Sequence, residues 1–339
     1  MKKVSSVVLS VLLLLSVVCL AGCGASKTSN PLKFGMGVHA YVEKATNADG
    51  DTNGVGEAIV TVAAVLLDTD GKIVKCVLDV ADNTVNFTSD GKFVETGEFQ
   101  TKYEKGDAYG MKAYGGATKE WYEQADAFTA LVVGKTVDEV KALVATGGKG
   151  TDEVINAGCT IEISDFALAV EKAVTNAAES GATKDHTLKL GVVSSQQSSK
   201  DATEDAAGMN EVDTTAVAAV LDKDGKVVAM STDALQAQFA FDAKGATTVE
   251  AGAAIATKKD KGANYGMAQY GQDLNGDGTV KEWFEQAQAF NAACVGKTAA
   301  EISALAINTG YGAQSLQTVG CTIHVGDMVK AAVKAATIS

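Results

Sequence analysis

The chain carries one unit written twice, so its fold must be one that can be built from both copies. Tyr109-Gly110-Met111-Lys112-Ala113-Tyr114 returns as Tyr265-Gly266-Met267-Ala268-Gln269-Tyr270. Lys119-Glu120-Trp121-Tyr122-Glu123-Gln124-Ala125 returns as Lys281-Glu282-Trp283-Phe284-Glu285-Gln286-Ala287. Gly134-Lys135-Thr136 recurs as Gly296-Lys297-Thr298, and Gly158-Cys159-Thr160-Ile161 as Gly320-Cys321-Thr322-Ile323. The copies run over 32–178 and 188–339, joined by 179–187, where Ser180-Gly181-Ala182 reads as a flexible link. A chain of 339 residues has the length for two domains, each able to bury its own core.

The first half of each copy reads as antiparallel sheet. Glu57 to Asp68 and Lys72 to Val80 are rich in valine and isoleucine and flank Thr69-Asp70-Gly71, a hairpin signal. Val212 to Leu221 and Lys226 to Met230 flank Asp222-Lys223-Asp224-Gly225 in the same way. The period then changes. Trp121, Ala125, Phe128 and Val132 fall at helical spacing, as do Trp283, Ala287, Phe290 and Cys294; Gly134 and Gly296 stop those helices. Thr136-Val137-Asp138-Glu139 and Thr298-Ala299-Ala300-Glu301 have the form of capping boxes that open a second short helix. A strand through Cys159 to Ile163 is expected next, then a terminal helix, Phe166 to Val174, capped by Ser164 or Asp165 and matched by Asp327 capping Met328 to Ala336. The predicted class is α+β, in two tandem copies of an antiparallel sheet with helices.

Residues 1–22 read as a secretory signal, because Lys2 and Lys3 precede an apolar run, Val7 to Leu20, too short to span a bilayer comfortably. The run ends in Leu20-Ala21-Gly22-Cys23, which resembles the lipobox of bacterial lipoproteins. That resemblance implies lipidation of Cys23, cleavage before it, a short tether over 23–31, and an exported protein held by acyl chains on the extracytoplasmic face of the membrane. The formal charge is −13, and loss of Lys2 and Lys3 takes it to −13 − 2 = −15. An acidic body of this kind repels phosphate backbones, which excludes nucleic acid as a partner. Cys76 aligns with Met230 and Cys294 with Val132, positions that ask only for an apolar side chain, so both read as buried thiols. Cys159 and Cys321 are equivalent to each other, and their spacing leaves a bridge between the copies open. The chain has no Cys-x-x-Cys-His for covalent haem, and His39, His186 and His324 are not duplicated as a repeated metal site would require.

Several groups of residues carry ligand chemistry. Gly158-Cys159-Thr160 and Gly320-Cys321-Thr322 enter a strand shortly before a helix. Small residues there let backbone amides approach an anion, and they equally let a strand start pack tightly against a helix. Tyr109, Met111, Tyr265 and Met267 supply aromatic and thioether surface for a flat ring, or else fill the core; Tyr114 is a further ligand candidate, and Trp121 reads as core. Lys119 and Lys281 precede a helix, where they meet a phosphate or carboxylate, or only solvent. Asp49-Gly50-Asp51-Thr52-Asn53-Gly54 and Asp273-Leu274-Asn275-Gly276-Asp277-Gly278 place oxygen ligands and a glycine as calcium loops do, but position twelve is Val60 or Phe284. Both read as turns first, with calcium at Asp273, Asn275 and Asp277 as the alternative. No nucleophile-and-base pair or paired-carboxylate site stands out.

The order hairpin, helix, capping-box helix, then Asp152-Glu153-Val154-Ile155-Asn156-Ala157-Gly158-Cys159-Thr160-Ile161-Glu162 before a final helix resembles the FMN-binding domain family of exported electron-transfer proteins. In that family a stretch Ser-Gly-Ala-Thr-x-Thr/Ser precedes the last helix and carries flavin mononucleotide, often through its phosphate on the final Thr or Ser. Gly158-Cys159-Thr160 and Gly320-Cys321-Thr322 match the Gly-Ala-Thr core. The acceptor position holds Glu162 in one copy and His324 in the other, and the preceding serine is Ala157 or Val319. The resemblance implies FMN in each copy, with Gly158 to Thr160 and Gly320 to Thr322 on the phosphate side. Tyr109, Met111, Tyr265 and Met267 would line the ring, and a membrane redox partner would complete an electron relay. Two rivals stand beside it. One is a binding module that takes a small molecule without redox chemistry, which the missing acceptors favour; the other is a structural surface lipoprotein whose repeated aromatics are only core.

Overall fold

The computed structural model describes residues 31–337 apart from 271, 272, 274, 275, 277, 308 and 309. The signal, Cys23 and the tether up to residue 30 lie outside the described residues. Copy one contributes β1 (Leu32–Thr46), β2 (Gly54–Leu67), β3 (Ile73–Phe87), β4 (Phe93–Val94), α1 (Lys102–Lys105), α2 (Trp121–Val132), α3 (Val137–Lys141), α4 (Asp152–Ala157), α5 (Ser164–Thr175) and β5 (Ala178–Ala182). Copy two contributes β6 (Thr187–Lys200), β7 (Gly208–Leu221), β8 (Val227–Phe241), α6 (Lys258–Lys261), α7 (Met267–Tyr270), α8 (Trp283–Cys294), α9 (Ala299–Ser303), α10 (Gln314–Thr318) and α11 (Gly326–Ala336). The fold is α+β with two sheet-containing units: a five-stranded sheet ordered β4-β3-β2-β1-β5 and a three-stranded sheet ordered β6-β7-β8, both antiparallel. Among the described residues no helix is long and apolar enough to cross a membrane.

The expected hairpins form for a visible reason. Asp68 Oδ1 accepts from the amides of Asp70 and Lys72 at 3.0 and 2.9 Å, and Asp222 Oδ1 repeats this with Asp224 and Lys226 at 2.9 Å each. The aspartate side chain thus reinforces a turn that the backbone also closes, Asp68 N donating to Lys72 O at 3.0 Å and Asp222 N to Lys226 O at 2.9 Å.

The central strands are buried on both faces. Along β2, Ile59, Ala63, Val65 and Leu67 face the helices with Trp121, Phe128, Phe166 and Val170. The alternate residues Val60, Val62, Ala64 and Leu66 meet Leu188, Ala216, Ala218 and Val220 of the other sheet. The parity of β7 mirrors this, with Val217, Ala219 and Leu221 toward α8 and α11. The result is four layers: helices, sheet, sheet, helices. Each unit buries its own helix-covered core, as the sequence suggested, and the two share a further apolar layer between the sheets. Phe87 stacks on Phe241 across the join, with ring centres 4.6 Å apart and planes within 1°. Asn83 Nδ2 donates to Thr214 Oγ1 at 2.9 Å in the same buried layer.

Each unit also reaches across to the first strand of the other. After β8 the chain lays a short segment along β1, with Ile255 N donating to Ala40 O at 2.9 Å and Gly252 N to Val42 O at 2.7 Å. After β4, Thr96 N donates to Gln196 Oε1 at 2.7 Å, and Gln196 Nε2 donates back to Val94 O at 3.0 Å.

Three local expectations change. Residues 179–182 of the expected link belong to strand β5, which pairs Leu32 with Ala182 and Phe34 with Ala178, because the outer edge of β1 offers backbone groups that need partners. Cys159 to Ile163 is not a strand. Cys159 N bonds back to Val154 O at 3.1 Å and Thr160 N to a side chain, leaving only the single bridges Lys149 with Glu162 and Tyr311 with His324. Ser164, Asp165 and Asp327 do not cap: α5 and α11 begin after Ile163 and Val325 with no side-chain cap bond. Asp327 instead accepts from Ser195 Oγ at 2.8 Å and Lys330 Nζ at 3.0 Å.

α5 lies so close to β1 that a Cβ on Gly37 would fall 2.2 Å from Ala169 O, and one on Gly191 would fall 2.0 Å from Ala331 O in the matching place. Gly37→Ala is expected to force the helix outward at a cost of about 1–3 kcal/mol, typical of overpacking, read as a lower midpoint in urea unfolding. A midpoint equal to that of the native protein would show that the contact is slack.

Candidate functional site

The repeated motifs are wired to one another. Glu120, 2% exposed, accepts from Met111 N at 2.8 Å and Lys112 N at 3.1 Å, so the residue that opens α2 also fixes the Tyr-Gly-Met loop. Glu282 does the same for Met267 N and Ala268 N at 3.0 and 3.2 Å. One turn along, buried Gln124 accepts from Thr160 N at 2.8 Å and Thr160 Oγ1 at 3.0 Å, and its amide donates to Lys119 O at 3.2 Å. Gln286 repeats each bond with Thr322 and Lys281, and its Nε2 also lies 3.3 Å from Met267 Sδ. The Gly-Cys-Thr loop is thus held by a glutamine, and its best donors are spent. Cys159 and Cys321 are fully buried beneath it, with burial pushing both thiols up to about 11. They are free thiols, as are Cys76 and Cys294. Lys119 and Lys281 lie over the loop: a Cβ on Gly158 or Gly320 would meet the lysine Nζ at 2.1 Å.

What this wiring encloses is a cavity, present once in each unit. The first, ≈ 360 Å³, lies between sheet and helices, with Tyr109, Met111, Trp121, Ile161 and Phe166 on its apolar side and Glu43, Glu57, Asp82, Glu162, Asp165 and Lys102 on its polar side. The second, ≈ 410 Å³, is lined in matching places by Gln197, Asp213, Lys258, Trp283, His324, Asp327 and Met328. Lys102 Nζ sits 5.2 Å from the centre of the Tyr109 ring and Lys258 Nζ 5.2 Å from that of Tyr265. The positions where the family would carry its flavin ester, Glu162 and His324, both stand on cavity walls.

Sequence reasoning placed Tyr109 and Met111 at a ligand, and both line the first cavity. Tyr265 and Met267 pack partly buried against the core of the second unit. Tyr114 is 91% exposed and forms no wall. Gly158, Cys159, Thr160 and their counterparts brace the cavities from behind. Missed altogether were Glu43, Glu57, Asp82, Lys102 and Asp165. They are scattered over β1, β2, β3, α1 and α5, and only strand parity together with the pairing register, Glu57 beside Thr84 and Tyr41 beside Ile59, brings them to one face. Trp121, 4% exposed, serves both the core and the wall.

The calcium alternative gains nothing. Asp273 spends its carboxylate on the amides of Gly276 and Gly278 at 2.7 and 2.8 Å, as a turn residue does; Asn275 and Asp277 lie outside the described residues. In the first loop Asp49 and Thr52 exchange backbone bonds at 2.9 Å. No group of three or more His, Cys, Asp or Glu among the described residues converges on a metal position.

The two walls differ in their electrostatics. In the first cavity, burial and then a hydrogen bond to Asp82 raise the Glu57 carboxyl above its ordinary value. Burial, with Asp165 and Glu43 adding to it, drives the Tyr41 phenol up. In the second cavity, burial pushes Asp213 to about 6 against the pull of Lys258, and its Oδ1 is buried with no partner among the described residues. From the ordinary 3.8 up to about 6, the folded chain keeps a proton on Asp213 that the unfolded chain has released, so this group lowers stability as pH rises through that window. Asp213→Asn is expected to gain stability over the native protein between about pH 4 and about pH 7, measured by denaturant titration at each pH. A difference that stays flat with pH would sink that assignment.

No protein family model matches the chain, and no solved structure does. A chlorophenol reductase of Desulfitobacterium hafniense is 37% identical over 95 residues, which cover 24% of this chain and 29% of that protein. The chain thus spans less than a third of the length of this curated relative.

Proposed function

We propose that this chain is an exported, lipid-anchored binding protein that holds a small flat molecule, without a covalent link, in each of two equivalent cavities. The observation that carries the reading is the repetition of the hollow itself. Trp121 and Trp283, Lys102 and Lys258, Glu162 and His324, and Asp165 and Asp327 stand at matching points of two walls. A duplicated core needs its side chains repeated but not an unfilled space between them. Volumes of ≈ 360 and ≈ 410 Å³ are of small-molecule size. The aromatic and thioether side of the first suits a planar ring. Leu20-Ala21-Gly22-Cys23 supports the anchor.

Flavin mononucleotide in its covalent form does not suit these residues. Glu162 and His324 offer no hydroxyl for the ester, and the donors of Thr160 and Thr322 are already bonded to Gln124 and Gln286. Electron transfer through a flavin ring held non-covalently is a second reading. It is favoured by the resemblance to FMN-binding domains and by the name of the Desulfitobacterium relative, a chlorophenol reductase.

Two measurements test these statements. Cys23→Ser is expected to shift the protein from the membrane fraction into the soluble exported fraction, and an unchanged distribution would remove the anchor. The visible spectrum of protein purified from a flavin-replete, secretion-competent host is then recorded before and after acid precipitation. Yellow colour released to the supernatant supports the flavin reading, whereas colour kept in the pellet would overturn non-covalent binding. A colourless protein takes away flavin and electron transfer and leaves a ligand of another class.

A further inference from the structure

We propose that the first cavity is a receptor for a flat organic cation, and that the two cavities differ in the ligand charge they accept. This deepens the binding reading above and rests on it.

The polar side of the first cavity carries Glu43, Glu57, Asp82, Glu162 and Asp165 against Lys102 alone, and Lys102 is itself paired with Asp82 at 3.8 Å. These carboxylates do not converge on a metal position, so their field is spread over the hollow rather than focused on an ion. Facing them are Tyr41, Tyr109, Trp121 and Phe166. Carboxylates opposite aromatic faces are the chemistry that holds a delocalised ammonium or iminium group, with the rings taking the flat face and the carboxylates the charge. The wall already does this once, with Lys102 Nζ over Tyr109. A phosphate, by contrast, would enter against five carboxyl groups.

The second unit is an internal control. Its α11 lies over Gly191 as α5 lies over Gly37, and Asp327 takes the hydroxyl of Ser195 where Asp165 neighbours Tyr41. In that alignment Glu43 becomes Gln197, Asp82 becomes Gln236 and Glu162 becomes His324, while Ile59 becomes Asp213. The hollow is kept, and Glu57 and Asp165 persist as Glu211 and Asp327, but the other three carboxylates are not kept. Asp213 and Asp327 there face Lys258 and His324, and the unmet acceptor is Asp213 Oδ1, which suits a neutral ligand bearing an N–H or O–H donor.

Proton linkage follows from the same wall. Glu57 feels Asp82, Glu43 and Lys44, with Lys102 on the far side of Asp82; Asp165 faces His39 and Tyr41, and Lys172 acts on His39. A bound cation favours the ionised form of Glu57, whose carboxyl burial and Asp82 raise above its ordinary value. Affinity therefore rises with pH through the elevated titration of Glu57.

The chain has two tryptophans, and each lines one cavity. Trp283→Phe leaves Trp121 to report the first, and Trp121→Phe leaves Trp283 to report the second. Three probes share a flat tricyclic ring and differ in charge: proflavine (cationic), riboflavin (neutral, with a ribityl chain) and FMN (anionic), and the double variant below separates charge from the side chain. With Trp283→Phe at about pH 7.5, proflavine is expected to quench Trp121 with an affinity about tenfold or more above riboflavin, and FMN to bind below riboflavin. Glu43 and Glu162 are exposed, so the double variant Glu43→Gln/Glu162→Gln should fold; it is expected to weaken proflavine about tenfold while leaving riboflavin within about twofold. Trp283 should show no preference for proflavine. If riboflavin or FMN binds the first cavity as tightly as proflavine, or the double variant leaves proflavine unchanged, the inference falls and the binding reading stands. If none of the three probes alters either emission, both fall.

Discussion

Everything in this structure depends on β2 and β7 being buried on both faces. A strand whose odd residues feed a helix-covered core and whose even residues feed a second sheet has no side left for water, so it must be apolar along nearly its whole length. Ala58 to Leu67 and Ala216 to Leu221 meet that demand. The consequence is energetic as well as geometric. Each valine or leucine in the layer between the sheets is worth roughly 1.5–3 kcal/mol on burial, and the layer as a whole outweighs the roughly 5–15 kcal/mol by which a typical domain is stable. The crossing segments strengthen the same bond, the one after β8 through backbone pairs with β1 and the one after β4 through the Gln196 side chain of β6.

Given that frame, the repeated motifs acquire a physical reason for being repeated. Glu120 and Glu282 lie almost wholly inside the protein, and a buried carboxylate persists only where donors surround it. The amides of the Tyr-Gly-Met loop supply those donors, and the backbone amides of Glu120 and Glu282 donate in turn to the carboxylates of Glu123 and Glu285. Gln124 and Gln286 then tie the helix to the Gly-Cys-Thr loop. None of these residues tolerates exchange without leaving a buried partner unmet, at a cost of roughly 1–3 kcal/mol each. The strongest sequence similarity between the copies marks the brace of the cavity more than its lining.

This explains which parts of the structure could be read in the sequence. Hairpin turns at Asp68 and Asp222, helices from Trp121 and Trp283, and the capping boxes at Thr136 and Thr298 rest on local bonds, and local spacing announces them. The strand expected at Cys159 failed because Gln124, distant in sequence, takes the amide a ladder would need. The shared layer between the sheets was hidden because an apolar run says that a strand is buried without saying by what. Of the site, Tyr109 and Met111 were legible through repetition. Glu43, Glu57, Asp82 and Asp165 were not, since each sits alone among ordinary strand or helix residues and only pairing register gathers them.

A duplicated unit separates two properties that a single site confounds. The brace determines that a hollow exists and how large it is, and it is common to both units because its members are buried and mutually bonded. The charge on the wall comes from side chains at the ends of strands and at the mouth of the last loop, where Glu43, Glu162 and Gln197 meet solvent or each other and nothing in the core depends on their identity. Such positions change sign at little cost in stability, because exposed charges contribute little to it. They still decide which ligand the hollow accepts, since the field in a recess is set by its lining. Shape held by packing and charge released from packing is what, on the proposed binding role, would let two copies of one cavity accept two different ligands.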